Sequence, residues 1–272
     1  MAEAAGPAVP GDENITHDTL LGGSVPLLQP RRGHRSGTDA VLLAQLADVR
    51  GGDVVVDLGS ASGAAGLVLA RRVPDARIVF VERDPVLVAL CRRNIGLNGL
   101  DGRAIAVEAD LFALPLPGVH GAIPAGDADL VVTNPPFFEE GARASPDDGR
   151  AAAHVLRGGD LARWIAAAAD LLAAKGRLCL IHRADRFGAC LEALRPGFGS
   201  VTVRPVHPRL DRPASRIVVS AVKGGRAPLV LAPALVLHAP DGAFTPDAER
   251  LHRVPVPPGR ETGARRRPVR TQ

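Results

Sequence analysis

The segment VVTNPPFFEEG, residues 131–141, carries the residue types best suited to chemistry. Asn134 precedes a proline and is pushed toward extended geometry, while Pro135 and Pro136 fix their own φ and lack N–H groups. The turn is therefore stiff, rich in acceptors and poor in donors. The side-chain oxygen of Asn134 and the carbonyl of Pro135 can converge on one planar –NH₂ group, and Phe137 offers a flat face to the ring that carries it. With only seven phenylalanines and no tyrosine in the chain, the pair Phe137 and Phe138 concentrates scarce aromatic surface. A Pro-Pro turn backed by two core aromatics is the plainer account of the same residues.

A second group of residues falls at strand ends. DLGSASG (57–63) closes an apolar run with small residues, Gly59, Ser60 and Gly63 among them, that let a ligand lie directly on backbone N–H groups. A tight strand-to-helix turn would look the same. Glu82 follows Asp57 by 25 residues, at the end of the next strand, where a carboxylate can accept from both hydroxyls of a ribose. It also reads as a surface acid beside Arg83. Asp110, one strand further on, can accept from an adenine amino group with Leu111 or Phe112 covering the ring, or can serve as a turn aspartate. Together the three strand ends favour an adenosine-containing ligand, which a dinucleotide would also satisfy.

These positions depend on alternating strands and helices. DVVVDLG (53–59), RIVFVE (77–82), RAIAVEAD (103–110), ADLVVTNPPF (128–137) and RLCLIH (177–182) read as strands, the first buried on both faces. Between them GAAGLVLARRV (63–73), PVLVALCRRNIGLNG (85–99) and DLARWIAAAADLLAAKG (160–176) have helical spacing, the last closing at Gly176. LLGGSVPLLQP (20–30) suggests a hairpin, and GTDAVLLAQLAD (37–48) a helix capped by Thr38 or Asp39. SVTVRPV (200–206) and SRIVVSAVK (215–223) complete the sheet as an antiparallel pair. The expected fold is α/β, a doubly wound, mostly parallel, seven-stranded Rossmann-like sheet with an antiparallel last strand. Residues 1–15 read as a flexible leader, 16–245 as one domain with an N-terminal hairpin, and 246–272 as a flexible Arg/Pro-rich tail.

Composition narrows the classes further. Hydrophobic residues make up 46% of the 272, enough for a sizeable core, yet even the richest stretch, residues 164–174, is broken by Asp170. No membrane span is expected, and the acidic start lacks the form of a secretion signal, so a cytoplasmic location is expected. Cys91, Cys179 and Cys190 have no paired metal-ligand spacing, and no metal is expected. Net charge is +4 and only Lys175 and Lys223 are lysines, so the positive charge is almost all arginine. Arg31, Arg32 and Arg35 form one cluster; Arg204, His207, Arg209, Arg212 and Arg216 a second; Arg265, Arg266, Arg267 and Arg270 a third. Arginine suits phosphate contacts, which makes an RNA partner possible without requiring it.

As an ordered set, GTDAVLL, DLGSASG, VERD, EAD, NPPFF and KGRLCLIH resemble the class I S-adenosylmethionine-dependent methyltransferases whose Asn-Pro-Pro-aromatic motif methylates planar amines. Within them, RSGTDAVLLA and NPPFFEEG look most like the bacterial valine tRNA adenine-N6 methyltransferases, which act beside the anticodon. The resemblance implies S-adenosyl-L-methionine as cofactor and tRNA as partner. It implies that Asp57, Gly59, Ser60 and Gly63 shape the methionine end of the cofactor site, Glu82 holds the ribose, and Asp110 and Leu111 hold the adenine. Thr38 would lie in the segment closing over the cofactor; Asn134 and Pro135 would hold the target amine, with Phe137 stacked on its ring. The family's turn reads Asp-x-Gly-x-Gly-x-Gly, and here Ala61 replaces the middle glycine, where a methyl crowds the cofactor or meets a positive φ that alanine resists. Three alternatives stay open: a protein glutamine-N5 methyltransferase, a nicotinamide dehydrogenase, and a catalytically weak RNA-binding protein of the same fold.

Overall fold

A computed structural model of the chain describes residues 12–33, 35–114, 116–123, 128–136 and 160–253. The first element is a hairpin in which β1 (Ile15–Leu20) pairs antiparallel with β2 (Val25–Pro30), from Ile15↔Pro30 to Leu20↔Val25. It starts earlier than residue 20. Ile15, expected in the leader, is buried against Leu28 and Leu90, because its aliphatic side chain falls on the inward face of β1.

The alternating core follows as α1 (Thr38–Leu46), β3 (Val54–Leu58), α2 (Ala64–Arg72), β4 (Arg77–Glu82), α3 (Pro85–Leu97), β5 (Ala104–Glu108), α4 (Pro117–Ala122) and β6 (Ala128–Thr133). After it come α5 (Asp160–Leu171), β7 (Leu172–Arg183), α6 (Phe187–Leu194), β8 (Phe198–Arg209), β9 (Arg216–Lys223), β10 (Val230–Leu231), β11 (Leu235–His238) and α7 (Pro246–Arg253). The large sheet runs β10-β8-β9-β7-β6-β3-β4-β5, with β11 also on β8. Strands β3 to β7 pair in parallel, whereas β9 lies antiparallel between β7 and β8. The seven expected strands are thus present, and β10 and β11 extend the sheet in parallel with β8. One face is covered by the hairpin, α1, α2, α3 and α7, the other by α4, α5 and α6. The Val-rich run of β3 is buried on both sides for this reason.

Three further features differ from the sequence expectation. Neither Thr38 nor Asp39 caps α1 through its side chain; Gly37 precedes the helix, and the Asp39 carboxylate instead accepts from Arg216 Nε at 2.9 Å. Helix α5 stops at Leu171 rather than Gly176, because Leu172 already pairs with Ala128 of β6, and Lys175 at φ +66° marks an irregularity in that ladder. Residues 246–253, expected as flexible tail, form α7. Ala248 and Leu251 of this helix are buried, and the ring of Phe244 stacks between His238 and His252 at 4.9 and 4.6 Å. The Leu251 carbonyl also accepts from Gln45 Nε2 of α1. Both lysines lie at the edge where β7 begins and β9 ends: Lys175 Nζ donates to Gly224 O, and Lys223 Nζ to Ala169 O and Leu172 O. All three cysteines are free and buried, and burial raises their thiol pKa values.

Asn94, fully buried on α3, joins the hairpin to the core. Its Oδ1 accepts from Leu28 N, and its Nδ2 donates to Leu28 O and to Ser62 O in the turn after β3. Asn98 Nδ2 adds a bond to Pro26 O. Replacing Asn94 by alanine strands three buried backbone groups, a loss of about 3 kcal/mol. Urea unfolding of Asn94→Ala should show that loss, with faster amide exchange over residues 15–30; an unchanged midpoint would contradict the role given to this side chain.

Candidate active site

Open parallel sheets bind ligands beyond the carboxyl ends of their strands, where the strand order reverses. That point lies between β6 and β3, because β4 and β5 extend to one side of β3 and β6 and β7 to the other. Along this edge Asn134 follows β6, Asp57 and Gly59 close β3, Glu82 ends β4 and Asp110 follows β5. Three strand spacings, roughly 14 Å, separate the first from the last. The sequence-predicted residues therefore stand in one row.

The turn after β3 is held by its neighbours' acids. Asp57 Oδ2 accepts from Gly66 N at 2.8 Å, and Glu82 Oε2 accepts from Ala61 N at 2.9 Å. Glu82 Oε1 accepts from Arg83 N and Asp84 N, so its carboxylate is fixed on both sides, by its own loop rather than by an Arg83 ion pair. Gly59 N and Ser60 N both donate to Val81 O, and Gly63 sits at φ +94° to start α2. Ala61 occupies φ +48°, as its place in the glycine pattern requires, at a cost of roughly 1 kcal/mol relative to glycine. Burial, opposed by the Gly66 bond and reinforced by Glu82, raises the Asp57 carboxyl to about 7.

The corner after β6 is tied to that turn by a chain of hydrogen bonds absent from the sequence reading. Trp164 Nε1 of α5 donates to Thr133 Oγ1 at 2.7 Å, and Thr133 Oγ1 donates to Leu58 O at 2.7 Å, all within the buried interior. The same indole lies under Gly59, where an added Cβ would sit 2.5 Å from Trp164 Cζ2 and the φ is +74°. Its other edge meets the ring of Phe112, 6.1 Å away in a T-shaped arrangement, and Arg163 covers that ring at 4.3 Å. One side chain thus touches three of the strand ends that form the row. Being the chain's single tryptophan was the one available signal for it.

Asn134 is half-buried and Pro135 buried, while Pro136 is exposed. Among the described residues, Asn134 Oδ1 is buried without a hydrogen-bond partner. Leaving such an atom unpaired costs about 1–3 kcal/mol. Asp110 takes the turn role as well as its place in the row, its Oδ1 accepting from Phe112 N. Leu111 is packed into the core rather than presented as a cover. Thr38 is exposed at the start of α1, and the Asp39–Arg216 pair sets that helix end beside the start of β9, on the Asn134 side of the row. Phe137 lies outside the described residues, as do Phe138 and the arginines of the third cluster.

The other arginine clusters divide by what their side chains do. Arg31 donates to Glu13 O and Ile15 O, and Arg35 to Asp18, Thr16 and Pro30 O, so both brace the hairpin. Arg204 donates to Pro233 O and Arg216 to Asp39. Arg32, Arg209 and Arg212 are exposed. Among the described residues no helix is long and apolar enough to cross a membrane, and no group of three or more His, Cys, Asp or Glu could hold a metal ion.

A family model described as the methyltransferase small domain matches residues 35–206. The chain belongs to this family. The match spans all four strand ends of the row and the Asn-Pro-Pro corner, and it removes the dehydrogenase alternative. The methyltransferase is 30% identical over 227 residues to the tRNA1(Val) (adenine(37)-N6)-methyltransferase of Porphyromonas gingivalis W83, covering 80% of this chain and 86% of that protein. It is also 30% identical to the protein of the same name from Aeromonas hydrophila, over 77% of this chain and 84% of the relative. Among solved structures, a predicted O-methyltransferase, protein Atu636 from Agrobacterium tumefaciens, superposes with a TM-score of 0.65 at 28% identity, covering 78% and 94% of the two chains. P. horikoshii TYW2 in complex with MeSAdo shares the fold, with a TM-score of 0.52 at 14% identity, covering 79% of this chain and 74% of that one. The methyltransferase uses S-adenosylmethionine, and the glycine turn with its two acids fits that group.

Two outcomes follow from this geometry. Thr133→Val leaves Trp164 Nε1 and Leu58 O unpaired and should cost about 2–3 kcal/mol in urea unfolding, while Thr133→Ser, which keeps the hydroxyl, should cost less than half as much; equal losses would dissolve the relay. Asp57 has a raised folded-state pKa, so the folded cofactor-free protein binds the extra proton between about pH 4 and 7 and its stability falls as pH rises through that window. Asp57→Asn should flatten this fall, as read by denaturant midpoints at pH 4.5 and 7.5.

Proposed function

We propose that this methyltransferase transfers a methyl group to the N6 amine of an adenine in RNA, namely a tRNA near its anticodon. The observation that carries the proposal is Asn134 Oδ1, buried and without a partner among the described residues, next to Pro135 at the point where the strand order reverses. The relatives that match four-fifths of the chain are named as tRNA adenine-N6 methyltransferases, which supports the adenine and the tRNA.

In this reading Asp57, Gly59, Ser60 and Gly63 surround the methionine end of S-adenosylmethionine, Thr38 lies in the segment that closes over it, Glu82 takes the ribose hydroxyls, and Asp110 takes the adenine. S-adenosylmethionine supplies an electrophilic methyl group on a sulfonium that leaves as a neutral thioether. Asn134 Oδ1 and the Pro135 carbonyl accept hydrogen bonds from the two protons of the target amine. A lone pair delocalised into the base is thereby turned out of the ring plane, toward the methyl group. Phe137 stacks on a base splayed out of its loop and replaces part of the stacking lost. The new N–C bond forms as the S–C bond breaks, and the amine releases one proton to water. No strong base is needed. The protein's contribution is in-line positioning, which well-oriented groups can make worth several kcal/mol.

A planar glutamine amide offers the same two protons, so protein glutamine-N5 methylation is the second reading. Labelled methyl transfer to total tRNA against total protein separates the two; label in protein alone would overturn the proposal. Asn134→Ala should lower methyl transfer by at least about 100-fold, the scale of losing one aligned polar contact to the reacting group. Its calorimetric affinity for S-adenosylmethionine should change only a few-fold.

A further inference from the structure

We infer that the tip of the β8–β9 hairpin, Arg209-Leu210-Asp211-Arg212, is a docking surface for the RNA strand flanking the target base. The inference rests on the RNA reading above. It begins from register: Thr133 at the end of β6 is level with Leu180 of β7, Arg183 with Arg216 of β9, and Arg216 with Val206 of β8. The connection between β8 and β9 therefore rises from the same edge of the sheet as Asn134. It stands two to three strands away, roughly 10–14 Å. That places it beside the nucleotides next to a base held at the Asn-Pro-Pro corner.

The tip has features with no structural task in the fold. Leu210 is 83% exposed, the highest value among the large hydrophobic residues described. Arg209 and Arg212 on either side of it are exposed, and the Arg212–Asp211 contact is long, at 4.0 Å. The other described arginines of this cluster and those of the hairpin hold carbonyls or carboxylates of the protein itself, apart from exposed Arg32. The tip is also ordered by its own backbone: Arg212 N donates to Arg209 O, Ser215 N to Val206 O, and the Arg212 carbonyl is bonded to His207 Nδ1. The Arg216–Asp39 pair fixes its base to α1. An apolar side chain held out in water between two guanidinium groups matches an RNA loop, with phosphates for the arginines and an unstacked base for the leucine.

The test uses the full-length protein and end-labelled total tRNA. For Arg209→Ala/Arg212→Ala, KM for tRNA should rise about ten-fold with kcat unchanged, and the slope of log affinity against log salt should become shallower by roughly 1.4, two phosphate contacts' worth on a single strand. Leu210→Ala should weaken tRNA binding several-fold with an unaltered salt slope. Thermal melting and S-adenosylmethionine affinity should match the wild type in all variants, as befits exposed positions. If the wild type methylates tRNA while these variants keep its KM and salt slope, the docking surface is wrong and the RNA reading stands. If the wild type labels protein and does not bind tRNA, both fall together.

Discussion

A single hydroxyl, that of Thr133, links the two halves of the site. It accepts from the Trp164 indole and donates to Leu58 O, so the strand that ends in Asn134 and the strand that ends in the glycine turn cannot slide independently. Both partners are buried, and breaking either bond exposes no water to replace it. The indole also occupies the space that a side chain at Gly59 would need, which couples the identity of a glycine to that of a tryptophan more than one hundred positions away. Methyl transfer depends on relative placement more than on acid-base strength. A fixed distance between acceptor corner and cofactor turn is therefore what this fold must supply.

The second constraint is electrostatic and local. Asp57 and Glu82 use carboxylate oxygens to hold backbone N–H groups of the turn and the helix that follows it, including that of the left-handed Ala61. The strain at Ala61 is small beside the charge-assisted hydrogen bond from its N–H to Glu82, worth roughly 1.5–3 kcal/mol. That inequality explains how alanine is accommodated at a glycine position without the turn changing course. Asp57 carries a price of its own, since a carboxyl sealed from water resists ionisation.

Strands β3 to β6 were legible because continuous aliphatic runs bounded by glycine or acid have few other uses. The row of Asp57, Glu82, Asp110 and Asn134 was legible for the same reason: each lies at the end of such a run. The end of α5 was hidden, since LLAAKG satisfies a helix as readily as a strand and the pairing with β6 decides between them. Helix α7 was hidden by proline- and arginine-rich surroundings, although Leu251 needed a buried partner. Thr133, Trp164 and Asn94 carry no local pattern. Their importance lies in partners from distant segments, which one sequence does not pair. The arginine clusters were legible only as charge, because proximity in sequence said nothing of Asp18, Asp39 or Pro233 across the fold.

The placement of the two lysines has a practical corollary. Their ammonium groups clasp carbonyls at the rim where β7 begins and β9 ends, across the full height of the sheet from Asn134. A biosensor chip or resin that couples through lysine amines would hold the molecule by its floor. The rim that carries Asn134 would then face the flowing solution, an orientation that most proteins with lysine scattered over their surface do not allow.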